Sequence, residues 1–84
     1  MRAWKVAVEI EPWAEGGFIA RAPALQGCWV VADTAEEAIR DIYEGIELSI
    51  ESRLKHGEPL PPDLEEIHND AGGAILLDLA VAVA

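Results

Sequence analysis

Glu9 and Glu11 near the start of the chain, Glu37 and Asp41 in its middle and Asp78 near its end are the residues that could do most if they met. Carboxylates converging on Mg²⁺ clamp a scissile phosphate, the chemistry of a metal-dependent nuclease. Glu65, His68 and Asp70 form a second acid and histidine cluster, but it lacks the two-histidine spacing that gives such motifs weight and reads as a polar loop. Cys28 has no histidine nearby in sequence to activate it, which favours a small packing residue over a nucleophile. Gly16, Gly17 and Gly27 do not lead directly into a helix, so they read as turn formers and not as a phosphate cradle. None of these sets implies a cofactor or a metal.

Whether the carboxylates meet depends on the elements that carry them. From Ala3 to Glu11 the residues alternate, with Trp4, Val6, Val8 and Ile10 on one side and Lys5, Ala7 and Glu9 on the other, the pattern of a half-buried strand. Pro12 to Gly17 reverses the chain, and Phe18 to Ala22 returns as a second strand that Pro23 ends. A further reversal through Gly27 delivers Cys28 to Ala32, rich in strand formers.

At Thr34 the period changes. Thr34 and Glu37 have the spacing of a capping box. Ala35, Ala38, Ile39, Ile42, Ile46, Ser49 and Ile50 then fall on one helical stripe, with Glu37, Asp41, Glu44, Glu51 and Lys55 opposite. Gly57 follows Arg53, Lys55 and His56, which suit the negative end of a helix predicted over Ala35 to His56. Residues Asp63 to Ile67 suggest at most a helical turn, and Ala74 to Val83 a last strand. A crossover through the helix places that strand parallel to the first. The expectation is an α+β fold, β-β-β-α-β, with a four-stranded sheet in the order 3-2-1-4 and one helix on one face. Periodicity turns Glu9 away from the helix and sets Glu37 and Asp41 on its outer side, so the carboxylates read as solvated acids.

At 84 residues the chain is long enough for one domain, residues 1–84, with little stability to spare. Sixteen acids against six bases give a net charge of −10, which repels phosphate backbones and anionic lipid and favours a basic protein as partner. A single cysteine, no leader-like start and no spanning apolar run suggest a cytoplasmic protein. Hydrophobic residues make up 51 % of the chain, more than one helix can cover. Ala7, Ile19, Trp29 or Val30, Leu76, Ala80 and Ala82 fall on the sheet face away from the helix, and the final strand lacks the lysine or proline that blunts an edge. A homo-oligomer, dimer or tetramer, is expected, with Trp29, Leu76, Ala80 and Ala82 in its interface.

Gly17-Phe18, Ala20, Pro23, Leu25, Gly27-Cys28, Asp33-Thr34 and Glu36-Glu37-Ala38, followed after the helix by His56 to Pro62, form a pattern that resembles the HicB-like antitoxin family. The resemblance spans Trp4 to Pro62; Ala32 stands where many relatives have glycine. It implies a truncated ribonuclease H-like fold without nuclease acids, and a non-enzymatic protein that occludes a small basic ribonuclease toxin, HicA. The C-terminal DNA-binding module usual in full antitoxins is not expected here, nor direct nucleic-acid binding. The helix acids Glu37, Asp41, Glu44 and Glu51, or the loop around Trp13 and Glu15, are the candidates for contacting the toxin. A toxin-free homo-oligomeric regulatory protein is the alternative, and a metal-dependent nuclease a weaker one.

Overall fold

In a computed structural model, residues 3–61, 64–67 and 75–81 are described. Strand β1 (Ala3–Pro12) shows the expected alternation, with Trp4, Val6, Val8 and Ile10 buried and Lys5, Ala7 and Glu9 exposed. The following loop closes when the Trp13 amide donates to the Gly17 carbonyl at 2.9 Å and the Gly16 amide to the Trp13 carbonyl at 3.0 Å. Gly17 has φ +81°, and a Cβ added there would lie 2.3 Å from the Ala32 carbonyl oxygen. Only glycine meets both demands. Strand β2 (Phe18–Arg21) returns antiparallel, with Ile10 opposite Ala20. In the next reversal the Leu25 amide bonds the Ala22 carbonyl and the Ala22 amide the Cys28 carbonyl, both at 3.0 Å, and Leu25 is buried in the core. Strand β3 (Trp29–Ala32) pairs antiparallel with β2, Val30 opposite Ala20.

Helix α1 (Ala35–Lys55) begins where the Glu37 amide donates to Thr34 Oγ1 at 3.1 Å, satisfying one of its orphan donors. It ends in a Schellman motif. The Glu58 amide reaches the Arg53 carbonyl at 2.9 Å and the Gly57 amide the Leu54 carbonyl at 3.3 Å, with Gly57 at φ +67°. Ala38, Ile42, Ile46 and Ile50, at four-residue steps, are buried against Trp4, Val6, Val8, Ile10, Ala20 and Ala22 of the sheet. Each isoleucine so buried contributes about 1.5–3 kcal/mol.

Strand β5 (Ile75–Val81) runs parallel to β1 in the register Trp4 with Ile75 through Ile10 with Val81. The long strands therefore follow the expected order, β3-β2-β1 and then the C-terminal strand, in a mixed sheet under one helix. Residues 65–67 depart from expectation, forming a short strand, β4 (Glu65–Ile67), antiparallel to Ala3–Lys5, where the local pattern suggests at most a helical turn. β2 takes Glu9–Pro12 of β1 and β4 takes Ala3–Lys5, while β5 overlaps both segments. A strand has two edges, so β5 holds one and β2 and β4 divide the other end to end. Unpaired backbone on β1 is what draws Glu65–Ile67 into the sheet.

The face away from the helix is less uniformly apolar than its residue list suggests. Lys5, Ala7, Glu9 and Asp78 are exposed on it, and Arg21 pairs with Glu11 diagonally across β1 and β2. Ile19 is buried. Of the pair left open by the pattern, Trp29 is exposed and Val30 packs against the core on the helix side. Among the residues whose side chains are described, the large exposed apolar groups on this face are Trp29 and Val31 of β3. Leu76 and Ala80 pair with Lys5 and Glu9 in the β5 register, and Ala82 lies outside the described residues.

Candidate functional site

The carboxylates considered for metal chemistry are held on opposite sides of the molecule. Glu9, Glu11 and Asp78 belong to the sheet face away from α1, whereas Glu37 and Asp41 sit on the outer side of the helix. Among the described residues no three His, Cys, Asp or Glu side chains lie close enough to hold a metal ion. Of the second set, His68 and Asp70 lie outside the described residues. Asp41 is engaged by its neighbour Arg40 at 3.7 Å. His56 lies at the C-cap of α1, its Nδ1 2.8 Å from the Ser52 carbonyl oxygen.

Cys28 is half-buried against the core, and burial raises its thiol above the ordinary range. The thiolate is the nucleophile, so alkylation of Cys28 near pH 8 is expected to run slower than that of an exposed cysteine and to accelerate when urea unfolds the chain. The folded state holds this proton more tightly than the unfolded chain, so the same shift lowers stability as pH rises past the ordinary thiol pKa. Equal alkylation rates for folded and unfolded protein would contradict both statements.

An acidic face of α1 and two grooves are the surfaces described that can bind something. On α1, Glu37, Asp41, Glu44, Leu48, Glu51 and Lys55 follow one another at alternating four- and three-residue steps, which lays them along one outward stripe. Between Glu36 and Glu51 this helix carries Arg40 as its one base. Such a stripe projects negative potential outward and attracts a positively charged surface. Leu48 is its apolar member and is 66 % exposed, an oddity that its position among acids makes visible in the sequence alone.

The first groove, of about 380 Å³, is on the opposite side of the sheet, walled by Trp13, Ile19, Arg21 and Trp29 and by the Pro23–Gly27 turn. Trp13 is half-buried and Glu15 exposed. The structure thus places Trp13 with Trp29, and away from the helix acids. The acid stripe and the Trp13 loop are two distinct surfaces. A further groove of about 360 Å³ runs between β3 and α1, bordered by Cys28, Val30, Gly45, Leu48 and Ser49. A Cβ at Gly45 would meet Cys28 Sγ at 3.6 Å, ordinary contact, so the helix flank there is small without being strained.

The chain is similar to known proteins over most of its length. It is 42 % identical over 60 residues to UPF0150 protein ssr1765 of Synechocystis sp., covering 71 % of this chain and 76 % of that protein. With UPF0150 protein Ta0767 of Thermoplasma acidophilum it shares 39 % identity over 62 residues, 74 % of this chain and 90 % of the relative.

The chain belongs to the UPF0150 family.

A second Synechocystis relative, UPF0150 protein ssl0259, is 39 % identical over 54 residues, 64 % of this chain and 74 % of its own. No family model matches the chain, and no solved structure matches it. No helix among the described residues of this UPF0150 protein is long and apolar enough to cross a membrane.

Proposed function

We propose that this UPF0150 chain is a non-enzymatic protein-binding domain of the HicB-like antitoxin kind, which neutralises a small basic HicA-like ribonuclease by covering its active surface. The observation that carries the reading is the acidic stripe of α1, on which Glu37, Asp41, Glu44 and Glu51 share one outward face. A ribonuclease surface that holds RNA phosphates is positively charged, and a rigid row of carboxylates competes for it with the same electrostatics. The net charge of −10 adds long-range attraction that speeds encounter. The pattern from Gly17 to Ala38 and the strand order under one helix agree with the truncated ribonuclease H-like layout of that family.

The test uses the tagged full chain in its native host. A small basic ribonuclease is expected to be captured and inhibited by the purified chain. The complex weakens as salt rises from about 0.05 M to about 0.5 M, because screening shortens the reach of the stripe. Reversing Glu44→Lys and Glu51→Lys together is expected to lower affinity by about 10- to 100-fold, mostly through the association rate. If no basic protein is recovered at low salt, or the captured ribonuclease binds the reversed chain equally well, the antitoxin reading fails. The uncharged groove between β3 and α1 favours a second mode of association, with another copy of the chain.

A further inference from the structure

We infer that two copies of this chain join edge to edge through β3, extending the sheet across a two-fold axis, with the α1 flank of one copy packed against that of the other. The inference does not rest on the antitoxin reading: it uses the β3 edge and the flank of α1 beside it, which shares only Leu48 with the acid stripe, and a different force.

Backbone comes first. The Ala22 amide donates to the Cys28 carbonyl, and in an antiparallel ladder the pattern alternates from there. Val30 therefore turns its amide and carbonyl toward β2, and Trp29 and Val31 turn theirs outward. Among the described residues β3 pairs with β2 alone, so those outward groups form an open edge. It has none of the devices that usually block one: β3 reads Trp-Val-Val-Ala, with no charge, proline or bulge.

An antiparallel pairing centred on Val30 uses the groups that point outward. It sets Trp29 of one copy opposite Val31 of the other, twice, on the face away from the helix. Aromatic against β-branched side chains is a favourable cross-strand pair. Both side chains are exposed in the single chain, Trp29 by 59 % and Val31 by 42 %. The same axis brings the two α1 flanks face to face, Leu48 of each against the groove of the other that Val30, Gly45 and Ser49 border. Small residues on both flanks allow the helices to approach closely.

Charge selects a second copy as the occupant. Two chains of −10 repel over most of their surfaces, so they meet best where carboxylates are sparse. None of the residues bordering the groove between β3 and α1 is charged, in a chain of which 26 % is. A basic partner would gain nothing there and is drawn to the outer stripe of α1. Of the other outer edges among the described residues, β4 is only three residues long, and the longer candidate is β5. Its central residue is Asp78, which is exposed, and a centred antiparallel pairing of two β5 strands would set Asp78 against Asp78. Like charges directly opposite destabilise such a pair.

Sedimentation of the full chain, with Val31→Lys and Leu48→Glu as variants, tests the pairing. The parent is expected to be a dimer at about 100 μM whose association strengthens with salt, as screening relieves the mutual repulsion. Binding of a basic protein to the acid stripe has the opposite salt dependence, so the two readings fail separately. Each variant is expected to raise the dimer dissociation constant by at least about 100-fold, the loss typical of a central interface residue. Far-UV circular dichroism should stay that of the parent, since both side chains are exposed. A monomeric parent at that concentration, a dimer that dissociates as salt rises, or a dimer that survives both variants would overturn the pairing.

Discussion

Gly17→Ala is expected to destabilise the fold by about 3 kcal/mol or more, read as a fall in Tm of at least about 12 °C for a domain of this size. Two costs add. At φ +81° a Cβ is strained, by about 1–2 kcal/mol. It would also lie 2.3 Å from the Ala32 carbonyl oxygen, which is backbone and cannot swing aside as a side chain could. Relief requires β3 to move from β2 at the Phe18–Ala32 pair, loosening the strand that carries Trp29. Gly16→Ala separates the two costs. Gly16 has φ +106° with nothing within 4 Å of an added Cβ, so only the backbone strain remains. Thermal unfolding of both variants decides the matter, and equal losses would mean that the β1–β2 loop does not lie against β3 as described.

Ile46→Ala should cost about 2–5 kcal/mol. Ile46 is 0 % exposed at the middle of the buried stripe of α1, and its truncation leaves a cavity under the only helix that packs on this face among the described residues. A chain of this length has about 4–13 kcal/mol in all, so the variant is expected to unfold at a markedly lower urea concentration. Leu48→Ala, two residues on, is the comparison. Leu48 is 66 % exposed on the opposite side of the helix, and its change should stay within about 0.5 kcal/mol in dilute, monomeric protein. Equal losses at the two positions would place the buried face of α1 elsewhere.

The candidate surfaces were legible in the residues to different degrees. The acid stripe follows directly from helical period, because Glu37, Asp41, Glu44 and Glu51 are fixed relative to one another once α1 forms. Trp13 was visible only as a large apolar side chain in a loop. Its companion in the groove, Trp29, comes from another strand, and no local pattern relates the two. Leu48 was not singled out from the sequence, although an apolar residue among acids is a signal that helical period exposes. Its role depends on β3 lying beside that flank of the helix, which Gly45 and Cys28 permit by their size.

Local rules determined the alternation of β1, the cap at Thr34, the Schellman end at Gly57 and the buried stripe of α1, since each depends on residues within a few positions of one another. They also carried the order of the long strands, because short connections and one helical crossover leave few alternatives. Tertiary structure alone decided that β4 fills the part of the β1 edge that β2 leaves open. It likewise decided that Val30 packs inward while Trp29 and Val31 face out, and that Gly17 lies beneath Ala32. Those outcomes depend on which backbone groups remain unpaired after the sheet has assembled, and that is a property of segments far apart in the chain.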